Sequence, residues 1–375
     1  MVDSLKRSPV APLLYGMKPM IVALALAACT SPDADLGVVE SAFTPGDQDC
    51  PLKDCGTNST IIDGIYFSDI NLNGLPNASG LVLDGYKSLP DKVKKLALRD
   101  GRLVGVNDAG ERVAEGAQLL NTQFKLRKGD KVYIVRIAQI HRSARYWAAN
   151  QDEPVVTYRF EYTTAGQNSL VSASKPLCAN DDESGALGLE AVVFGYDRYD
   201  AASKDVNASA NDGWVNIACL GGAPAKMHLM RHTRASQKVQ SGITTTEKER
   251  QALFNAWTAN YCGDGRAFTK PGEPLRMRDS KGWLPHDSAR SWSEGSQVAS
   301  YEAIWDENGA VCLNVPRRAD DVDDLRENIV AWCQDVGHPI PKCSDSDTTY
   351  PHDWQKRGHI LTANPVPNPV PNPAP

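Results

Sequence analysis

Aromatic residues are scarce, 7% of 375 residues, and no apolar run reaches the roughly 20 residues that a helix needs to cross a bilayer. A spanning helix is therefore not expected. Basic residues are in the minority, 40 Lys and Arg against 46 Asp and Glu for a net charge of -6, which argues against a basic surface built to neutralise phosphates. Nucleic acid is excluded as the expected partner. Cysteines separated by two residues, the spacing of paired zinc ligands, are absent, as are a glycine-rich phosphate loop, a nucleophile-elbow pentapeptide and a dinucleotide fingerprint. No cofactor is expected. With 29 Gly and 24 Pro the chain falls short of a collagenous or wholly disordered composition, and 41% hydrophobic residues suffice for a core. At about 100 to 200 residues per domain, the length allows two domains.

What is present begins at residue 6. Lys6, Arg7 and Lys18 precede an apolar run of nine residues, Met20–Ala28, which ends at Cys29. A short apolar run behind positive charge reads as an export signal. Leu26-Ala27-Ala28-Cys29 resembles the bacterial lipobox, in which cleavage precedes a cysteine that carries lipid. Residues 1–28 are then the signal and Cys29 the lipidation site. Acyl chains such as palmitate, each buried CH₂ contributing about 0.8 kcal/mol, would be the membrane contact. An ordinary export signal followed by a chance cysteine is the alternative. Thr30, uncharged, follows Cys29 and points to the outer membrane. Without residues 1–28 the chain has 37 basic and 45 acidic residues, net -8, which suits a body held off an anionic membrane. Residues 29–60 read as the tether. Residues 346–375 read as a disordered tail, because Asn364 opens repeats of Asn-Pro-Val-Pro, whose alternate prolines forbid helix and central strand.

Apart from Cys29 there are eight cysteines, Cys50, Cys55, Cys178, Cys219, Cys262, Cys312, Cys333 and Cys343. An even count in an exported chain implies four disulfides. Proximity pairs Cys50 with Cys55 and Cys333 with Cys343, across the Gly337-His338-Pro339 turn, leaving Cys178, Cys219, Cys262 and Cys312 to pair among themselves. A free reactive thiol is the competing use.

The pattern between them is mainly β, of the α+β kind. Runs Leu81–Tyr86, Leu103–Val106, Lys131–Ile137 and Val155–Tyr162 are rich in β-branched and aromatic residues, with turns at Asp100-Gly101 and Asn107–Gly110. Residues 61–165 read as a β-rich N-terminal domain. A disulfide-stapled β domain with two helices follows at 166–345, with strands at Leu189–Tyr196 and Trp214–Cys219. A hairpin joins Tyr301–Trp305 to Ala310–Leu313 through Asp306–Gly309. One helix starts near Thr246, where Thr246 and Glu249 form a capping box, and buries Leu253, Ala256 and Trp257. The other starts near Asp320 or Asp321, with Val322, Leu325, Ile329 and Trp332-Cys333 at helical spacing.

After the first helix, Ala259-Asn-Tyr-Cys-Gly-Asp-Gly265 resembles the Ala-Asp-Tyr-Cys-Gly-Asp-Gly signature of the ADYC domain, a family of uncharacterised, mostly secreted or lipid-anchored bacterial proteins. Pro176–Cys178, Ala218–Ala223 with Ala225-Lys226, Glu302–Trp305 and Gly309–Cys312 resemble further family blocks, over about residues 170 to 345. Asn260 departs from the signature aspartate. Met227 and Leu253 stand where many members have cysteines, which together fits one absent disulfide. The resemblance implies a module and an address; it implies no reaction.

Physically, Tyr261, Cys262, Gly263, Asp264 and Gly265 read as a stapled helix-to-strand corner. Gly263 supplies the left-handed residue that closes the helix, Asp264 bonds its own turn, and Gly265 frees the backbone. The competing reading gathers Asp264, Asp279 and Glu302 into a carboxylate cluster for acid–base work on a glycan, or for Ca²⁺. His228 and His232 have the i, i+4 spacing of a metal face but lack a zincin glutamate, and read as surface histidines. Asn180–Gly185 is acidic, yet an EF-hand frame begun at Asn180 has Ala191 at its twelfth position. Trp214, Trp283, Trp292 and Trp305 are candidates for a sugar-binding face or for core packing. The expectation is a lipid-anchored envelope protein, a binding or structural module with an envelope protein or glycan as partner. An extracytoplasmic hydrolase is the alternative.

Overall fold

The structure is a computed structural model, and it describes residues 61–146, 154–165, 173–178, 189–208, 213–237, 244–269, 275–281, 298–318, 324–344, 355 and 357–365. The leader, Cys29, the tether, Cys50 and Cys55, the Asn180–Gly185 loop, Trp283 and Trp292 lie outside the described residues.

The chain is mainly β, as its alternating runs require. An eight-stranded antiparallel sheet contains β1 (Asp69–Asn71), β2 (Val82–Lys87), β6 (Gln123–Lys128), β7 (Lys131–Arg145), β8 (Pro154–Ala165), β9 (Lys175–Pro176), β10 (Ala191–Phe194) and β11 (Trp214–Cys219). Its order is β1-β11-β10-β8-β7-β6-β2, with β9 pairing the far end of β8. A smaller sheet, β3 (Lys95–Arg99), β4 (Arg102–Val106) and β5 (Arg112–Glu115), is a meander whose first turn, Asp100-Gly101, takes φ 49° and 69°. Two central residues with positive φ match the right-handed strand twist, which is why Asp-Gly sits there.

The large sheet is buried on both faces. Along β10, Ala191 and Val193 enter one hydrophobic core while Val192 and Phe194 enter another. The first core lies beneath the small sheet and holds Phe67, Phe124, Tyr133 and Phe160. The second is roofed by α1 (Ala223–Leu229), α2 (Glu247–Thr258), α3 (Leu325–Asp335) and one face of a four-stranded sheet. That sheet comprises β12 (Arg276–Asp279), β13 (Val298–Asp306), β14 (Gly309–Leu313) and β15 (Ile360–Pro365), in the order β12-β15-β13-β14.

Several expectations are corrected here. A boundary at 165/166 does not divide the fold, because β8 pairs with β10 and β1 with β11 across it. The tail cannot begin at 346, because Ile360–Ala363 are buried in an interior strand. Asn364 and Pro365 close that strand, so the first proline of the repeat ends the ladder where its missing N–H does no harm. The capping box at Thr246 and Glu249 is present, but the later helix begins after Asp324. α1 was not expected: Gly221-Gly222 and Pro224 look like loop residues, yet Gly222 is the N-cap and proline suits the first turn.

Candidate functional site

The signature segment leaves α2 through Ala259, a buried residue at φ 51°. This corrects the expectation for Gly263, because the helix closes four residues earlier and the Asn260 N–H caps it by donating to the Asn255 carbonyl at 2.9 Å. Gly263 has a different task. A Cβ added there would lie 2.0 Å from the Asn308 carbonyl oxygen, and one added at Gly309 would lie 2.4 Å from the Tyr261 carbonyl. The two backbones are in direct contact, with the Ala310 N–H donating to the Tyr261 carbonyl at 2.8 Å. Asp264 accepts from the Arg266 N–H of its own turn at 3.0 Å, and from Trp332 Nε1 on α3 at 2.8 Å. Asn260 uses both ends of its amide, donating to Asn255 Oδ1 at 3.1 Å and accepting from the Gly265 N–H at 3.1 Å. An aspartate there could make only the second of these bonds.

Beneath the turn lies a buried ionic network. Tyr261 is wholly buried, stacks on Trp305 at 4.9 Å between centroids, and donates its hydroxyl to Glu302 Oε1 at 2.5 Å. Glu302, also wholly buried, accepts from Arg317 Nε at 2.7 Å and Nη2 at 2.9 Å. Arg317 in turn donates to the Ala256 carbonyl at 2.6 Å, satisfying an acceptor at the helix end. Burial, and then the Glu302 charge, hold the Tyr261 phenol well above its usual range. It does not ionise at physiological pH.

Three disulfides are described: Cys178–Cys219, Cys262–Cys333 and Cys312–Cys343, with Cα separations of 5.5, 4.9 and 4.9 Å. The expected Cys333–Cys343 pair is corrected, and with it the confinement of Cys262 and Cys312 to a separate group. Cys333 belongs to the core shared with the helices, whereas Cys343 packs with Cys312, Ile304 and Leu361 in a separate cluster. Ile304 and Cys312 are register partners, while Ala303 and Trp305 belong to the helix-covered core. The sheet therefore separates Cys333 from Cys343, and sequence proximity counts for nothing. Met227 and Leu253, where many members have cysteines, are both fully buried in that same core on helices that pack together.

The carboxylates expected to converge are each bound elsewhere. Asp264 bonds Trp332, Glu302 bonds Arg317 and Tyr261, and Asp279 meets His232 Nε2 at 3.1 Å and the Lys281 N–H at 2.8 Å. His228 and His232 are corrected from surface to interior, with 3% and 2% exposure. His228 stacks on Phe194 at 4.5 Å and pairs through Nδ1 with Thr233 Oγ1 at 2.9 Å. Burial, then the Arg231 charge, lower its pKa to about 3, so the imidazole is neutral. Among the described residues no group of three His, Cys, Asp or Glu is placed to hold a metal ion.

A cavity of about 320 Å³ opens elsewhere, between the small sheet and the ends of β10 and β11, lined among others by Asn73, Lys95, Arg99, Tyr196 and Trp214. Two glycines let its walls approach closely: a Cβ at Gly195 would meet Leu98 Cδ2 at 2.7 Å, and one at Gly213 would meet Asn73 Nδ2 at 2.6 Å. Tyr196 holds φ 73°, rare for a bulky residue and typical of positions fixed by their surroundings. The Arg198 guanidinium stacks on Trp214 at 4.1 Å from the ring centroid and is itself tied to Asp69 at 2.7 Å. Trp214 was among the aromatic candidates in the sequence. Tyr196, Asn73, Lys95 and Arg99 carried no signal there, because non-adjacent strands bring them together. Trp305 is core.

The described residues thus define a mainly β, disulfide-stapled module with a glycine-tight corner and an open cavity. The model of the ADYC domain matches residues 116–319, more than half of the chain, and the protein belongs to that family. The match starts earlier and stops sooner than the 170 to 345 expected, taking in β6 to β8 and excluding α3. No curated protein and no solved structure matches the chain. β3, which supplies Lys95 and Arg99, lies before the matched region.

Proposed function

We propose that this chain is a lipid-anchored envelope module, held at the outer membrane through Cys29, that binds an acidic glycan in the Trp214 cavity. The cavity carries this reading. Its volume is in the range of small-ligand sites. Tyr196 and Trp214 offer aromatic surface to the C–H faces of a sugar ring, Asn73 offers a hydrogen-bonding amide, and Lys95 and Arg99 form no ion pair among the described residues and complement an anionic substituent. The hydrolase alternative has less support, since Asp264, Asp279 and Glu302 are each engaged by their own partners.

Calorimetric titration of the exported chain with a uronic-acid oligosaccharide and with its neutral counterpart tests the reading. Binding of the acidic sugar, weakened at least tenfold by Trp214→Ala and by Lys95→Ala, is expected. Equal or absent binding of both sugars, or cleavage of either, overturns it. The anchor is read separately: intact mass of the membrane-extracted protein shows lipid on Cys29, and Cys29→Ser releases the chain.

A further inference from the structure

Lys226 lies on α1, 8% exposed, with its nitrogen 4.7 Å from the centroid of the Trp257 ring. Apart from that contact with the ring face, its side-chain nitrogen forms no hydrogen bond and no ion pair with any described residue. Burying an ammonium without a carboxylate is costly, and the group relieves that cost most readily by losing its proton. The nearest charge makes matters worse. Arg317 acts on Lys226 as a like charge, while its own guanidinium is committed to Glu302 and the Ala256 carbonyl. Burial first and Arg317 second bring the Lys226 pKa down to about 8. A second donor beside it is also unsatisfied, for Trp257 Nε1 is buried without an acceptor. The Lys226 nitrogen and Trp257 Nε1 thus stand side by side as donors, neither with a hydrogen-bond acceptor among the described residues.

We propose that Lys226 is a carbon dioxide site, its side-chain nitrogen forming a carbamate. The neutral amine attacks the carbon of CO₂ with its lone pair. A C–N bond forms, one C=O π pair moves onto oxygen, and the nitrogen gives one proton to water. Starting from the ammonium, two protons are released for each CO₂ taken up, and the group changes from a cation to an anion. Its electrostatics then invert. The repulsion from Arg317 becomes attraction, and the new oxygens are acceptors for Trp257 Nε1, a buried donor that has none. Burial selects the reactant, because CO₂ is small, neutral and apolar and enters a packed interior without shedding a charged hydration shell. Larger carbonyl compounds do not fit that description.

The test uses the oxidised full-length chain in ¹³C-bicarbonate near pH 8, followed by ¹³C NMR. Chemical trapping of carbamates by O-alkylation and peptide mapping run alongside, and locate the adduct without any variant. One carbamate resonance that is lost in Lys226→Met, together with a trapped adduct on the peptide containing residue 226, is expected. A bicarbonate-dependent rise of the unfolding midpoint in the parent chain, absent from Lys226→Met, follows from the same inversion. The proposal is overturned if no adduct is trapped on that peptide, or if the resonance persists in Lys226→Met.

Discussion

Replacing Glu302 by Ala separates a structural role for the signature region from a catalytic one. Glu302 pairs with Arg317, whose side chain is 2% exposed, and it also accepts the buried Tyr261 hydroxyl. Removing one member of a buried ion pair strands the other, at about 3–5 kcal/mol. The orphaned Tyr261 hydroxyl adds about 1–3 kcal/mol. Their sum is comparable to the whole stability of an ordinary domain, about 5–15 kcal/mol. Urea denaturation of the oxidised protein, followed by tryptophan fluorescence, should show Glu302→Ala losing most of its folded baseline. Glu302→Gln, which keeps an acceptor for Tyr261 while removing the charge, should lose less. Pairing Glu302→Leu with Arg317→Met should cost less than the two single changes together, because neither charge is then stranded. If Glu302→Ala unfolds within about 1 kcal/mol of the parent, the network is not what holds the corner, and the hydrolase reading regains its ground.

Two further outcomes follow from the structure. Replacing Cys262 and Cys333 by Ala together frees a loop set by a separation of 71 residues, which in the chain-entropy model costs about 4 kcal/mol at 25 °C; non-reducing denaturation curves measure it, and a loss below about 1 kcal/mol contradicts the pairing. Acidification should destabilise the protein through His228. Its folded pKa of about 3 lies below the ordinary 6.5, so between those values the unfolded chain binds the proton and the folded chain does not. Stability therefore falls as pH drops through that window, by up to about 4 kcal/mol. Asp69 and Asp197, whose carboxyls burial pushes upward, act in the opposite sense, so the comparison is with His228→Gln. A variant with an unchanged pH slope contradicts the buried neutral imidazole.

Local chemistry was legible in the sequence. The Thr246–Glu249 capping box, the Asp100-Gly101 turn and the Asp306–Gly309 hairpin each depend on a few neighbouring residues, and each is present. The family resemblance was legible too, through a seven-residue signature. Sheet pairing was not: β8 reads the same whether its next partner lies before or after residue 165. Disulfide partners were hidden for a related reason, since the face on which Cys312 or Cys333 points depends on strand register and helix docking. The burial of His228 escaped because α1 is covered on all sides and shows no polar stripe. The cavity was half legible, in Trp214, and its remaining walls come from segments far apart in the sequence, among them Asn73, Lys95, Arg99 and Tyr196.

β15 lies between β12 and β13, and among the described residues β12 pairs with β15 alone. Deleting residues 360–365 is therefore not a trim of the chain's end. It removes the middle of a sheet, strips β12 of its hydrogen-bonded neighbour and uncovers an edge of β13, taking with it Thr362 Oγ1, the acceptor for Trp305 Nε1 at 2.8 Å. In synthesis from the N-terminus, β12 and β13 must wait for a partner that arrives more than fifty residues after β13, with both strands meanwhile open to pairing with another chain.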